Sequence, residues 1–300
     1  MGGPNSLVNI MVHLTWQLPN QLIQFGQRPW VMGIVNVTPD SFSDGGLYLN
    51  SSRAIDHALR LSQEGADIID IGGESTRPGA EPVALEEELR RVLPVIGALT
   101  KKINLPISID TMKAEVAKQC LDAGAVIVND VSGLRDPQMI RVVAEYRAAA
   151  IVMHMPSTPQ TMNDNPVYRN VVTELVDFFE ERMRLLQQLG ISASAICLDP
   201  GIGFGKRTSH NLELIANLDA FARFRRPICL GVSRKGFIGK LCGREHGDRM
   251  PGSLAVACIA AARDQVQILR VHDVAATRDA AVMLNEINRY RRPDTSRNNI

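Results

Sequence analysis

The sequence has almost no net charge, few cysteines and no long apolar run, and each shortage excludes a class of protein. Its net charge of +1 at pH 7 argues against a surface that binds nucleic acid or membranes through bulk charge, although a local anion pocket stays open. No stretch of about eighteen consecutive apolar residues is present, and the N-terminus lacks the pattern of a signal peptide. We therefore expect neither nucleic acid nor membrane among its partners.

The five cysteines contain no CxxC pair, and most lie in apolar segments where cysteine behaves as a small buried hydrophobe. This argues against structural zinc and against a disulfide framework. With 45% hydrophobic and 22% charged residues, the 300-residue chain can form one large globular domain or two modest ones. We expect a reduced, soluble protein of the cytoplasm.

A strand-loop-helix unit recurs from Val31 onward. Each unit begins with a short apolar strand that ends in a polar residue, and it leads into a segment with apolar residues at three- and four-residue spacing, as in Val171, Leu175 and Phe178. The predicted strands are 31–37, 67–71, 107–110, 125–131, 150–155, 195–198, 228–232 and 268–274. The predicted helices are 53–63, 85–99, 114–121, 138–146, 171–189, 212–224, 253–263 and 275–289.

Apolar strands that alternate with amphipathic helices are typical of a parallel sheet covered on both faces, and this number of repeats has the size of a (β/α)8 barrel. A doubly wound open sheet is the alternative, but no strand is followed by GxGxxG, and polar residues end every strand instead of clustering at one switch point. We predict an α/β protein with a single-domain (β/α)8 TIM barrel at 31–290. We expect residues 1–30 to form a segment or hairpin that caps the barrel, and residues 291–300 to form a flexible tail.

The polar strand ends would converge on one mouth of such a barrel. Any one of them could instead cap a helix, as we expect of Ser51, Ser52 and Asp136. Polar groups at all the strand ends carry a desolvation penalty of about 1–3 kcal/mol each, so together they indicate a pocket. The set comprises Asn36, Asp70, Glu74, Ser75, Thr76, Arg77, Asp110, Thr111, Asn129, Asp130, His154, Asp199, Ser233, Arg234, Lys235, Arg270, His272 and Asp273.

These residues sort by chemistry into two groups. Acceptors and donors suited to a flat nitrogen heterocycle come from Asp70, Asp110, Asn129, Asp199 and Lys235. Groups suited to phosphate oxygens come from Arg77, Arg234, Arg270 and His272 with Asn36, and Mg²⁺ commonly sits on one protein oxygen plus substrate phosphates. The pocket would hold a heterocycle deep and a phosphate near the rim, and the loop at 38–46 is expected to be a mobile catalytic loop.

Two features resemble the motifs of other chemistries, but neither fits its motif fully. Residues 201–206 resemble a phosphate-binding glycine loop, but Pro200 and Arg207 occupy positions where a Walker motif has Gly and Ser or Thr. Lys235 could form a Schiff base, although it lies beyond its strand beside Arg234 and not in an apolar run.

The strand-end motifs resemble those of the bacterial dihydropteroate synthase family, from Val31 to about Arg289. The resemblance rests on NVTPDSFSDGG at 36–46, DIGGESTRPGA at 70–80, SIDT at 108–111, NDVSGL at 129–134, HM at 154–155, LDPGIGFGK at 198–206, SRK at 233–235 and RVHDV at 270–274. One departure is Pro156-Ser157, where the family more often has Gln-Gly.

The resemblance implies condensation of 6-hydroxymethyl-7,8-dihydropterin pyrophosphate with p-aminobenzoate in folate synthesis, by an SN1-like route. It also implies Mg²⁺ as cofactor, a homodimer, and competition by sulfonamides. The implied pterin residues are Asp110, Asn129, Met153, Asp199, Phe204 and Lys235, beside Asp70. The residues implied for pyrophosphate are Asn36, Arg77, Arg270 and His272, and Asn36 would also contact the metal. The residues implied for p-aminobenzoate are Phe42, Thr76, Pro78 and Ser233. The residues implied for catalysis are Asp40, Asp44, Lys235 and Arg270.

Two rival functions stay open. Related pterin-binding barrels transfer a methyl group from methyltetrahydrofolate to a corrinoid protein, but they would lack the TPDSFSDGG loop and the SRK triplet that are present here. The other is a pterin-binding paralogue without catalytic activity.

Overall fold

Eight parallel strands form the central sheet of the computed structural model, which describes residues 14–26, 28–38, 47–76, 79–162, 164 and 166–290. A short antiparallel hairpin precedes them. In chain order the strands are β1 (Thr15–Leu18), β2 (Gln21–Gln24), β3 (Trp30–Asn36), β4 (Ile68–Gly72), β5 (Ile107–Asp110), β6 (Ile127–Asp130), β7 (Ala149–Met153), β8 (Ile196–Asp199), β9 (Cys229–Leu230) and β10 (Ile268–Val271).

The central sheet closes on itself. Strand β3 pairs with β4 on one side and β10 on the other, and the ladder follows chain order from β4 to β8. Its two ends meet through a parallel bridge between Leu198 and Ile228, supported by a 2.9 Å hydrogen bond from the Leu198 N–H to the Pro227 carbonyl. The predicted (β/α)8 barrel is therefore confirmed, and the open doubly wound sheet is wrong because such a sheet keeps two free edges.

Helices cover the outside of the barrel. They are α1 (Leu47–Gln63), α2 (Leu85–Leu99), α3 (Ala114–Asp122), α4 (Pro137–Glu145), α5 (Val171–Gln188), α6 (Thr208–Ala216), α7 (Gly236–Cys242), α8 (Met250–Ala262) and α9 (Val274–Arg289). The described helices include none that is long and apolar enough to cross a bilayer.

Several predicted boundaries differ from the observed ones. Ser51 and Ser52 are not caps, because α1 begins at Leu47 and both lie inside it, whereas the Asp136 carboxylate does cap α4 by accepting from the Gln138 N–H at 2.8 Å. The helix predicted at 212–224 is instead α6 followed by a 3₁₀ segment at Leu218–Phe224. Helix α7 was missed because it is short and glycine-rich, and its pattern is therefore weak.

The lower half of the barrel interior is apolar and is closed by the hairpin. Trp16 is fully buried and donates its indole N–H to the Ala195 carbonyl at 2.8 Å. The cluster around it contains one or two residues from most barrel strands: Met32, Ile68, Ile127, Ala149, Ile151, Cys197, Cys229 and Ile268.

Strand periodicity places the polar mouth directly above this cluster. Side chains two residues apart on a strand point to the same face. Asp70 therefore lies above Ile68, Asn129 above Ile127, Asp199 above Cys197 and Arg270 above Ile268. The apolar layer fixes the depth at which the polar side chains begin.

Candidate active site

The floor of the mouth is a buried network of charges from four strands. Arg270 donates to the Asp70 carboxylate through Nε and to the Asp110 carboxylate through a terminal nitrogen, each at 2.6 Å. The Asn129 amide donates to the same Asp70 oxygen at 3.2 Å. Asp70 is fully buried, and Asp110 and Asn129 nearly so. Arg270 and Asn129, which are far apart in the sequence, thus both donate to the carboxylates of this floor.

Part of this floor has unused hydrogen-bonding capacity. Among the described residues, Asp70 Oδ1, Asp110 Oδ1 and Ser108 Oγ are buried without a partner. Ser108 is the register partner of Asp70 and lies two residues before Asp110 on β5. Ser108 lies within the SIDT motif but was not placed at the floor from the sequence, although strand alternation from Asp110 would have pointed to it.

Burial and opposite charges shift the pKa values of the floor in different directions. Burial raises the pKa of Asp110 to about 7, against the attraction of Arg270. Burial lowers the pKa of Arg270, but Asp70 and Asp110 outweigh it and raise that pKa above its ordinary value. The arginine therefore keeps its charge, while Asp110 can exchange a proton near neutral pH.

One wall of the mouth combines Asp199, Phe204 and Lys235. The Asp199 carboxylate accepts from the Gly201 N–H at 2.7 Å, and burial raises its pKa. The Lys235 ammonium lies 3.9 Å from the centre of the Phe204 ring, a cation–π contact. Burial, with Arg270 nearby, lowers the pKa of Lys235 to about 8. Met153 belongs to the same apolar cluster as Phe204.

Lys206 holds the glycine-rich loop at 201–205, which includes Phe204 of this wall. Its buried amine lies 3.0 Å from His154 Nδ1, Gly201 O and Phe204 O, and 3.2 Å from His154 O. Burial lowers the pKa of Lys206 to about 7 and that of His154 to about 2. Because the amine is saturated with carbonyl and ring acceptors from its own surroundings, the loop is not a Walker loop, as the sequence indicated.

The rim opens into a cavity of about 990 Å³ lined by Asn36, Thr76, Asp110, Phe204, Ser233, Lys235, Arg270 and His272 among others. His272 Nδ1 lies 3.0 Å from Ser233 Oγ, and burial, with Arg270 and Arg234 nearby, lowers the pKa of His272 to about 3. Arg234, which we assigned to phosphate from its chemistry, instead pairs with Asp273 at 2.6 Å.

Most of the residues singled out from the sequence therefore meet at one mouth. Asp70, Asn129, Met153 and Asp199 are buried at or beside its floor, below the residues that line the cavity. The remaining candidates, Asp40, Phe42, Asp44, Arg77 and Pro78, lie outside the described residues.

The donor set fits a metal that is held mainly by a substrate. Among the described residues, no cluster of three His, Cys, Asp or Glu side chains could hold an ion by itself. Asn36 offers one neutral amide oxygen at the rim of a cavity that also contains Arg270 and His272. A single protein oxygen suits Mg²⁺ that brings its own phosphate ligands.

Comparison with known proteins gives consistent matches over almost the whole chain. The family model for pterin binding enzymes matches residues 32–272. The dihydropteroate synthase of Escherichia coli K12 is 46% identical over 253 residues, which cover 84% of this chain and 89% of that one.

Two solved structures resemble the barrel closely. The Xanthomonas albilineans dihydropteroate synthase with 4-aminobenzoic acid has a TM-score of 0.86 and 45% identity, covering 92% of this chain and 98% of that one. The Yersinia pestis dihydropteroate synthase in a sulfonamide drug complex has a TM-score of 0.85 and 40% identity, covering 92% and 99%.

Replacing Lys206 tests the role of its amine. In Lys206→Met the carbonyls of His154, Gly201 and Phe204 lose a buried donor, so we expect the free energy of unfolding to fall by about 1–3 kcal/mol and pterin affinity to weaken. Urea unfolding and calorimetric titration with a pterin measure the two effects. Lys240→Met, at an exposed lysine on the rim of the same cavity, is the control and should change neither. Unchanged stability and affinity in Lys206→Met would refute the role.

Proposed function

The chain belongs to the family of pterin-binding enzymes, as a dihydropteroate synthase, and we propose how the residues of its barrel mouth divide the work of the reaction. The enzyme is a transferase of folate biosynthesis that joins 6-hydroxymethyl-7,8-dihydropterin pyrophosphate to p-aminobenzoate and releases 7,8-dihydropteroate and pyrophosphate. The residue roles below are our proposal.

The pterin ring binds at the floor formed by Asp70, Asp110, Asn129, Asp199 and Lys235. One observation carries this assignment: the planar guanidinium of Arg270 donates to both Asp70 and Asp110. The aminopyrimidine edge of a pterin carries a similar planar array of N–H donors, so the same carboxylates can accept from it. Met153 and Phe204 contact the faces of the ring.

Arg270 then serves the pyrophosphate. When a pterin takes over Asp110, the guanidinium is displaced toward the rim, where Asn36 and His272 line the cavity. Arg77, which lies outside the described residues, completes the set. The two arginine cations, with the neutral side chains of Asn36 and His272 beside them, stabilise the negative charge that develops on the departing pyrophosphate.

Bond breaking comes first in this mechanism. The bond between the pterin methylene carbon and the pyrophosphate oxygen breaks, the electron pair leaves with the oxygen, and the positive charge spreads into the pterin. The amine nitrogen of p-aminobenzoate then attacks the methylene carbon, and its proton passes to an oxygen of the released pyrophosphate. Asp40 and Asp44, which lie outside the described residues, are assigned to stabilise the cation, and the reaction requires that water be kept from quenching it.

The second substrate binds between the first two loops and β9. Thr76 and Ser233 line the cavity, and His272 holds the Ser233 hydroxyl in place. Phe42 and Pro78, outside the described residues, complete the pocket. The structure of the Yersinia pestis relative is a sulfonamide drug complex, which supports our assignment of this chain as a sulfonamide target.

Mg²⁺ is the proposed cofactor, with Asn36 as its protein contact. Bound to the pyrophosphate, the ion would supply positive charge where the leaving group becomes more negative. The five cysteines are all free thiols, which fits the reducing cytoplasm that we propose as the location.

A homodimer is the proposed assembly. Helices α8 and α9 pack side by side, and they expose the apolar side chains of Ile259 (48%), Val282 (39%), Met283 (58%) and Ile287 (59%). Exposed apolar groups of this kind commonly mark an interface. A twofold contact between two copies would cover them.

Activity can be tested by following pyrophosphate and dihydropteroate in a mixture of protein, Mg²⁺, the pterin pyrophosphate and p-aminobenzoate. We expect both products in equal amounts. Pterin binding without product would leave a non-catalytic paralogue, and methyl transfer from methyltetrahydrofolate would support the corrinoid alternative.

In Asp199→Asn the amide oxygen can still accept from Gly201, but the charge is lost, so we expect pterin affinity to fall roughly 10–100-fold. Unchanged affinity would refute the pocket assignment.

Metal dependence tests the assignment of Asn36. Removal of Mg²⁺ by a chelator should abolish product formation, and Asn36→Ala should raise the Mg²⁺ concentration needed for half-maximal rate, because one ligand is lost. Affinity for a pterin without pyrophosphate should stay the same in this variant. Full activity of the chelated enzyme would contradict the proposal.

Sedimentation equilibrium tests the dimer. We expect twice the chain mass of 32.9 kDa for the parent protein and a single chain mass for Ile259→Asp, because a buried charge would oppose the contact. A parent protein that stays monomeric at every concentration would exclude the dimer.

A further inference from the structure

The loop that follows β4 is closed at its neck by one side chain. This loop runs from 73 to 84 and carries Thr76 and Arg77. The Glu74 side chain accepts from the Val83 N–H at 2.8 Å, across nine residues, and so draws the two ends of the loop together. Because it is only 8% exposed, Glu74 is fixed in place and not a solvated surface acid.

A partly buried ion network holds the Glu74 side chain. The Lys113 ammonium donates to Glu74 at 2.7 Å and to Glu88 of α2 at 2.6 Å. Glu88 is fully buried, and its other oxygen accepts from the Thr111 hydroxyl at 2.7 Å. Thr111 directly follows Asp110, so the neck of the loop is connected to the segment that carries a carboxylate of the pterin floor.

The neck is also packed tightly. The Arg91 guanidinium donates to the Gly73 carbonyl at 2.8 Å. A Cβ atom at Gly73 would lie 2.8 Å from Val92 and 3.0 Å from the Glu88 side chain, so only glycine fits there. The start of the loop therefore has one defined position, which Arg91 and the Lys113 network set together.

Stability alone does not account for this network. Buried ion pairs stabilise little compared with well-packed apolar side chains, because desolvation offsets most of the attraction. They do fix geometry, since each charge must keep its partner. A network that ties a loop end to two helices and a strand end fixes the direction in which the loop leaves the barrel.

We propose that Lys113 is a positioning residue for the second substrate: by holding Glu74 and Glu88 it sets the neck of the 73–84 loop and thereby places Thr76. This inference rests on the proposed p-aminobenzoate role of Thr76. Lys113 itself touches neither substrate in this mechanism.

Lys113→Met is the principal test, measured by steady-state kinetics and by hydrogen–deuterium exchange of the intact protein. We expect the KM for p-aminobenzoate to rise about ten-fold, the KM for the pterin pyrophosphate to change by less than about two-fold, and exchange in the 73–84 loop to become faster. Lys113→Arg keeps both ion pairs and should restore most of the p-aminobenzoate KM.

Matched controls separate positioning from general stability. Arg28→Met breaks another partly buried ion pair, with Asp67 near the start of the barrel strands. Lys118→Met breaks a surface pair with Asp122 on α3, the helix that begins directly after Lys113. Neither should alter the p-aminobenzoate KM or exchange in the loop. Should Lys113→Met fail to fold, Glu74→Gln serves instead, since its amide oxygen can still accept from Val83 while Lys113 loses one of its two carboxylate partners.

The outcomes are distinct. Faster exchange with an unchanged p-aminobenzoate KM would overturn the positioning role while leaving the reaction intact, and equal rises in both KM values would also overturn it. If the parent protein makes no dihydropteroate, the proposed residue roles fail, whereas the exchange measurement still reports whether Lys113 holds the neck.

Discussion

The buried ion pairs of Arg270 with Asp70 and Asp110 are the interaction on which the mouth of the barrel depends. Two carboxylates this close would repel each other at a buried site, and burial, with Asp70 nearby, raises the pKa of Asp110 to about 7 even beside Arg270. One guanidinium that reaches both at 2.6 Å offsets that repulsion. Oxygens of both carboxylates still lack partners among the described residues, so the site retains acceptors for a ligand.

The rest of the fold keeps this charged group at a fixed depth. The apolar residues below, from Ile68 to Ile268, lie one strand repeat beneath the polar ones, and the hairpin with Trp16 closes that end. Water entering from below would screen the charges and weaken their hold on a substrate. Closure of the sheet between Leu198 and Ile228 brings Asp199 around to the same opening as Asp110.

The sequence was informative wherever the signal is local. Apolar runs that end in polar residues predicted the barrel and most members of its mouth, because strand alternation is a period-two property of the chain. The connections between side chains could not be predicted in this way. Nothing in the sequence near Arg270 indicates that it reaches Asp70 and Asp110, and nothing near Lys206 indicates that four acceptors surround its amine. Such contacts depend on how distant strands are placed. The assignments on the first two loops, such as Phe42 and Arg77, stay predictions.

Residue type at a strand end therefore does not decide its role; the partners of its polar atoms do. Asn129 and Asp130 are adjacent and both buried, yet Asp130 uses its carboxylate on the Ser132 and Leu134 N–H groups and the Ser132 hydroxyl, and so serves the turn. Arg234 is likewise committed to Asp273, and Glu88 to Thr111 and Lys113. By contrast, Asp70 and Asp110 keep oxygens that no described residue uses. The carboxylates of Asp130 and Glu88 are therefore used up by the frame of the barrel, whereas those of Asp70 and Asp110 keep acceptor capacity at the mouth.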